Sequence, residues 1–552
     1  MIIKHIDWKQ SNVLKEVFSE GEAPETLEDM SIALTLFLQE LERNSEIDSE
    51  SSNRIFNMLL QELEPLAKND PHWLICLMSI HLELGDREGA IDKLVHTLSH
   101  VKLDFDVKWF VYWQLTRHFF LNRLRYEEAF RFKKLSEAYK AVFNDYYICL
   151  SQKVKKAESI RSAIMSEEQP SKSHFKPKII LLTNQFLTAK HAPTYLCLNM
   201  AREYVNLGFR VSILNLGMLP TDFPVIFVGG EKFNRVLEYD LAQNKIVIEE
   251  NGIQFNSSES VSSHICYQGV DIPFSQLESE EQIASVVSNL MIEKPELVVS
   301  ISDNNLLADA LAKLSCGAFP VVTHPTSSGL PIQINTIPLY LNHPVKDDIV
   351  NQSEKCSLYL QRSYPKRHVS SELTRADLNL PDNKFLISVV GTRLDDEFNT
   401  DWLNSLKKLL DNFDDMAVVF IGSPKSRVSL YFNEYENQTI YLEYQKDLYS
   451  VIALTDLFYN PDRSGGGTGA LMALGAGIPV ATLARMYSDV AWWVQEKFSF
   501  CSYDEMVSYI YSCKNDRSFY EQQSQQAKDE YKSIIDAPSA FETILIDCGV
   551  KY

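Results

Sequence analysis

Asp456–Leu483 reads DLFYNPDRSGGGTGALMALGAGIPVATL, and the rest of the chain is best read outward from it. Asp456–Asn460 is a short, strand-like apolar run. Pro461-Asp462-Arg463 ends it, three glycines (465–467) follow, and Thr468 opens an apolar helix pattern that reaches Leu474. Ile478–Leu483 is the next strand. Strand, loop, helix and strand in this order form the unit of an open α/β sheet. Such sheets bind ligands outside the carboxyl ends of their strands. Consecutive glycines let the backbone approach a ligand and turn its N–H groups inward. Thr468 is placed to cap the helix, whose start carries a partial positive charge suited to a phosphate. Arg463 adds a full charge with bidentate geometry. Arg463, Gly465, Gly466, Gly467 and Thr468 are therefore candidate phosphate-binding residues. A plain glycine turn between strand and helix is the competing reading.

The same alternation extends in both directions. Strands are expected at Phe385–Val390, Met416–Ile421 and Thr439–Glu443, and helices at Trp402–Leu410, Lys446–Leu454 and near Asp489–Gln495. The stretches Tyr503–Tyr511 and Arg517–Ile534 are helical. An earlier series alternates strands Lys178–Thr183, Arg210–Asn215, Glu296–Ile301 and Phe319–His324 with helices Pro193–Leu207, Glu280–Glu293 and Asn304–Leu314. KIILLT (178–183) is the continuous apolar run of a strand buried on both faces. Val236–Phe255 departs from the pattern as an edge hairpin turning at Asn251-Gly252. Residues 325–380 read as a Pro-rich crossover between lobes. Two such sheets in tandem place a ligand crevice between their carboxyl ends.

Before residue 165 the period is helical, as in Leu34–Leu41, Ile55–Leu63, His72–Leu84 and Glu88–Leu98. Two helix pairs look alike, with Ala90 and Ala129 at matching positions 39 residues apart, against ~34 for a tetratricopeptide repeat. Degenerate tetratricopeptide-like packing and an ordinary helical bundle are both compatible with this. The expected division is a helical domain (1–165) for interaction or acceptor recognition, a linker (166–177), a first Rossmann-like lobe (178–370) and a second (371–552) with C-terminal helices.

Composition narrows the function classes. The 552 residues carry 53 Lys plus Arg against 74 Asp plus Glu, a net charge of −21. That argues against nucleic acid as a partner, which needs concentrated basic residues, and leaves room for a local cationic site. No apolar run approaches the ~18 residues of a membrane span, and the opening residues are too polar for a signal peptide. The nine cysteines include no Cys-x-x-Cys spacing, the one Asp-x-Asp, Asp104-Phe105-Asp106, falls in the helical stretch before residue 165, and no metal-ligand cluster stands out. These features fit a cytoplasmic protein, with peripheral association at the inner membrane face still compatible.

Taken together, Gly465-Gly466-Gly467-Thr468, Ala473-Leu-Gly-Ala-Gly-Ile-Pro-Val480 and Val390-Gly391-Thr392-Arg393-Leu394 resemble the donor lobe of GT-B glycosyltransferases. The resemblance covers 178–536, about two thirds of the chain. It implies an α/β fold of two Rossmann-like lobes, here preceded by an all-α domain. It also implies a nucleotide-diphosphate sugar, most often a UDP-sugar, as donor substrate, with no bound cofactor or metal. Many retaining members carry paired glutamates where this chain has Ser464 and Met472, and the usual Lys after Arg393 is missing, which leaves the stereochemical class open.

Within this frame Arg393, at the end of a strand, would neutralise the charge growing on a departing diphosphate. Pairing with Asp395, Asp396 or Glu397 is the alternative. Gly391 and Thr392 line the same loop, and Lys425 after the next strand is a further phosphate candidate or a solvated loop lysine. His191 resembles the base position of inverting members, since imidazole accepts a proton near neutral pH. His324 is the alternative base, and Ser300–Asn305 could line the acceptor side. The resemblance implies as acceptor a glycan or a protein in cell-surface glycoconjugate synthesis, with the helical domain expected to offer a surface for a protein partner. A nucleotide-sugar epimerase and a non-catalytic GT-B-like partner subunit are the competing functions.

Overall fold

The computed structural model describes residues 57–551, apart from 58–59, 62, 84–88, 122–127, 165–176, 187–191, 217–246, 251–252, 258–262, 278, 327–330, 342–357, 361–371, 392–393, 395–396, 423–426, 446, 464, 486–487, 495–496 and 536–539. The chain divides into two compact units, one holding the helices up to Ser151 and the other beginning at Gln152. Helices of the stretch before the first sheet include Pro71–Glu83, Ala90–His100, Phe105–Leu121 and Glu128–Ile164. Ala90, Ile91, Leu94, Val95 and Leu98 are buried, the stripe that a period of 3.6 residues lays along one face. Glu128–Ile164 runs for 37 residues.

The second unit carries two sheets. The first has ten strands: β1 (Lys178–Thr183), β2 (Arg210–Leu216), β3 (Val247–Glu250), β4 (Ile253–Ser257), β5 (Ser263–Tyr267), β6 (Val270–Leu277), β7 (Leu297–Ile301), β8 (Val321–His324), β9 (Ile337–Leu341) and β10 (Leu358–Leu360). Their spatial order is β10-β9-β8-β7-β1-β2-β6-β5-β4-β3. Strands β6-β2-β1-β7-β8-β9 are mutually parallel. Numbered by their sequence among themselves they run 3-2-1-4-5-6, the order of dinucleotide-binding folds. The second sheet comprises β11 (Phe385–Val390), β12 (Met416–Ile421), β13 (Thr439–Leu442), β14 (Leu457–Tyr459), β15 (Val480–Leu483) and β16 (Ser499–Phe500). All are parallel, in the order β13-β12-β11-β14-β15-β16, again 3-2-1-4-5-6. Both lobes are Rossmann-like.

Side-chain alternation explains the layering of the second lobe. Leu386, Ala417, Val419 and Ile421 face one core, while Ile387, Val389, Val418 and Phe420 face the other. Helices on both faces bury strands that read as continuous apolar runs.

Three features differ from the sequence reading. The expected edge hairpin is the start of a longer meander: β3, β4, β5 and β6 pair antiparallel in turn, and β6 then joins β2 in parallel. Asn251-Gly252 lies outside the described residues, although Glu250 opposite Ile253 fixes a two-residue connection. Strands β9 and β10 arise in the stretch read as a crossover. Finally, the helix Ala540–Asp547 packs on the first sheet and not with the second lobe. Phe541, Ile544 and Leu545 form an apolar i, i+3, i+4 stripe buried with Cys197, Ala201 and Tyr204, and the Tyr204 hydroxyl donates to the Phe541 carbonyl at 3.1 Å.

Candidate active site

In the second sheet, β11 and β14 are neighbours whose chains leave in opposite directions, β11 toward β12 and β14 toward β15. The crevice at that switch point is where such sheets hold ligands. The loop after β11 begins at Gly391, and the loop after β14 runs from Asn460 to Gly466. The structure thus brings Gly391 together with Arg463 and Gly465–Thr468, residues more than seventy positions apart in the chain.

Arg463 joins the two loops. Its side chain is 4% exposed, and its Nη1 lies 3.4 Å from Oε2 of Glu397, itself 3% exposed. Its Nε donates to Asn460 Oδ1 at 3.1 Å, and Asn460 Nδ2 donates to Thr482 Oγ1 at 3.0 Å, anchoring the group to β15. The Trp402 indole donates to the Glu397 carbonyl at 3.1 Å, fixing the other end against the helix Thr400–Asn412. A Cβ built on Gly391 would stand 2.6 Å from Arg463 Nη1, and one on Gly466 would stand 2.8 Å from Nη2. Two of the glycines therefore serve the guanidinium, which occupies the space their side chains would need. The sequence reading gave Arg463 to a phosphate; in the fold its guanidinium is buried and ties the loop after β11 to the loop after β14.

Gly465 and Gly466 both adopt left-handed backbone conformations, with φ of 84° and 88°. Gly466 takes the N-cap position of the helix Gly467–Ala476, and no side chain caps it. Thr468 is the second residue of that helix and does not cap it, contrary to the expectation from its position after the glycines. The helix start therefore offers its first N–H groups at the carboxyl edge of the sheet, the arrangement that favours an anion. His191, Thr392, Arg393 and Lys425 lie outside the described residues. Gly422, three positions before Lys425, sits at the end of β12 with its N–H donating to the Leu442 carbonyl at 2.9 Å.

In the first lobe, His324 at the end of β8 is buried, and its Nδ1 lies 2.8 Å from the Pro325 carbonyl. A carbonyl only accepts, so Nδ1 donates to it. The loops after β7 and β8 are tied by Asp303, whose Oδ1 accepts from Thr326 N at 2.6 Å and whose carbonyl accepts from Ile332 N at 2.7 Å. Sequence reasoning offered Glu397 only as a partner for Arg393 and did not single out Asn460. Only their depth distinguishes them from neighbouring polar residues, and depth follows from the strand order.

No family model matches the chain, and no curated protein matches it. Solved structures do. A mutant O-GlcNAc transferase from Thermobaculum terrenum is similar at 13% identity over 95% of this chain and 98% of that one, with a TM-score of 0.45. The pneumococcal O-GlcNAc transferase GtfA, in complex with UDP and GlcNAc, is similar at 9% identity over 68% of this chain and 100% of its own (TM-score 0.42). A putative UDP-N-acetylglucosamine 2-epimerase from Listeria monocytogenes is similar at 13% identity over 68% and 95%, with a TM-score of 0.40. At these scores the strand order, and not the likeness, defines the fold. Among the described residues no helix is long and apolar enough to cross a membrane, and no group of three or more His, Cys, Asp or Glu is placed to hold a metal ion.

Proposed function

We propose that this chain is a cytoplasmic GT-B-type glycosyltransferase that moves a sugar from a nucleotide-diphosphate donor, a UDP-sugar first among them, to a glycan or protein acceptor. The observation that carries the reading is the switch point of the second lobe. Two loops from adjacent strands are locked together by a buried Arg–Glu pair beside an uncapped, glycine-started helix. That arrangement suits a diphosphate without a bound cation, since the helix N–H groups and dipole supply the positive potential.

In the proposed reaction an acceptor hydroxyl oxygen bonds to the anomeric carbon as the bond from that carbon to the diphosphate oxygen breaks. His191 takes the hydroxyl proton, and the nucleoside diphosphate leaves with the bonding electron pair. Arg393, with Lys425, would offset the charge developing on it. Gly391 and Thr392, beside Arg393 in the sequence, would contribute to the same donor site. The residues to 165 would form a recognition module for the acceptor or for a protein partner, with lobes at 178–370 and 371–552 supplying the chemistry. Surface glycoconjugate synthesis is the setting this combination fits.

Calorimetric titration of the full chain with UDP, GDP, ADP and their parent nucleosides tests the donor site. One diphosphate should bind at least tenfold tighter than its nucleoside. If no diphosphate outbinds its nucleoside, the anion site assigned to Gly465–Thr468 is wrong.

A further inference from the structure

Consecutive residues at the end of the loop after β11 are held from opposite sides. Strand β11 lies between β12 and β14, with Val390 in register with Ile421 and Ser388 with Phe458. Glu397 is tied to the β14 side, where its carboxylate meets Arg463. Phe398, the next residue, is tied to the β12 side. The guanidinium carbon of Arg427 stands 4.1 Å from the centre of its ring, and Tyr431 meets the same ring edge to face at 5.5 Å and 84°. Arg427 and Tyr431 are the first and last residues of the helix Arg427–Tyr431, which follows β12. Asn399, third in the row, caps the helix Thr400–Asn412 by accepting from Asp401 N at 2.8 Å.

The β12-side tie is anchored in its turn. The Tyr431 hydroxyl donates to Asn404 Oδ1 at 2.6 Å, and Lys407 Nζ lies 4.1 Å from the centre of the Tyr431 ring. Asn404 and Lys407 belong to the helix Thr400–Asn412, and Val428, next to Arg427, is buried in the core of the second lobe. Phe398 is therefore gripped between two elements that are bound to each other. The two ties differ in exposure. Arg463 and Glu397 are almost fully buried, whereas Phe398 is half-buried and Arg427 exposed. A guanidinium over an aromatic face is drawn to the negative side of the ring's quadrupole, so the contact holds without an acid.

We infer that Arg427 is a positioning residue of the transferase reaction. Stacked on Phe398, it fixes the end of the loop after β11 from the β12 side, as Arg463 does from the β14 side, and so sets the loop for the nucleoside diphosphate. It acts through the ring and not by touching the donor. The donor's place at this loop rests on the transferase reading; the two-sided anchorage rests on the contacts themselves.

The test uses the full chain and the variants Arg427→Met, which keeps the length of the side chain and loses its charge, and Arg427→Lys, which keeps a cation. Calorimetry measures the affinity for whichever of UDP, GDP and ADP the wild type binds most tightly. NMR with nitrogen-labelled tryptophan follows solvent exchange of the Trp402 indole proton, identified by its loss in Trp402→Phe. That proton is donated to the Glu397 carbonyl at 3.1 Å, so it reports on the residue beside Phe398. Arg427→Met should weaken the nucleotide and speed the exchange by about two- to fivefold each, the equilibrium factor of a cation over an exposed ring. Arg427→Lys should recover most of both. In a Phe398→Leu background Arg427→Met should have no further effect, because the ring through which it acts is gone. A further loss of affinity there would show Arg427 touching the nucleotide itself and would overturn the inference. So would affinity and exchange both unchanged in Arg427→Met, or a lower melting temperature with affinity intact, the mark of a merely structural contact. If the wild type binds no nucleoside diphosphate, the donor reading fails, and the indole exchange alone then upholds or overturns the anchorage.

Discussion

At the residue scale the decisive group is Arg463. A guanidinium that clamps phosphate and one that braces two loops make opposite predictions for its partner. If Arg463 reached for phosphate, Glu397→Gln would release it and tighten UDP binding. As a brace it needs Glu397, so Glu397→Gln and Arg463→Ala should each weaken UDP binding by about tenfold, one decade being ~1.4 kcal/mol. Calorimetry on the two variants reads the sign directly. Because both side chains are almost fully buried, removing either alone should also cost about 3–5 kcal/mol of stability, and the apolar double variant Arg463→Met/Glu397→Leu should recover most of it in denaturant titrations. The glycines follow from the same packing. Gly391→Ala drives a methyl into Nη1 at 2.6 Å and should destabilise by about 1–3 kcal/mol. Gly466→Ala, at φ 88°, should lose a further ~1 kcal/mol to left-handed backbone strain. None of this pairing was legible in the sequence. Arg463 could be read as cationic, but its partner lies 66 residues away in a run of three acids, Asp395-Asp396-Glu397, where nothing singles out the one that turns inward.

At the element scale legibility follows burial. Central strands such as KIILLT and MAVVFI are buried on both faces and announce themselves as unbroken apolar runs. Strand β6, VDIPFSQL, mixes polar residues and a proline into its run, and its burial alternates over much of its length, so its pattern does not mark a strand. The turn before it is set by Gln268 and Gly269, both with positive φ (49° and 80°), a hairpin geometry that Gln does not advertise. Loop anchoring is equally hidden: the Asp309 carboxylate holds three consecutive backbone N–H groups from within a helix. Asp309→Ala should therefore cost about 3 kcal/mol in denaturant unfolding, and Asp309→Asn, which keeps the acceptor and loses the charge, clearly less. The candidate site was legible as a place, since glycines between a strand and a helix mark a ligand-facing loop. The roles within it were not, because Thr468 falls one residue inside the helix and Gly466 takes the cap.

At the scale of the whole molecule, the sequence alternation made two lobes readable, and the strand order 3-2-1-4-5-6 in each makes them Rossmann-like. What local pattern could not show is the return of the last helix to the first sheet, a contact between Tyr204 and Phe541 across 337 positions. A chain ending before Ala540 should expose the apolar face around Cys197, Ala201 and Tyr204, lower the first unfolding transition in calorimetry, and aggregate more readily than full length. The central claim concerns chemistry and is tested most directly by turnover. Incubated with a panel of UDP-, GDP-, ADP- and TDP-sugars and with cell-surface glycan or protein acceptors, the full chain should release nucleoside diphosphate from one donor in proportion to sugar incorporated. Isomerised donor without diphosphate release, or no turnover of any donor, would contradict the account.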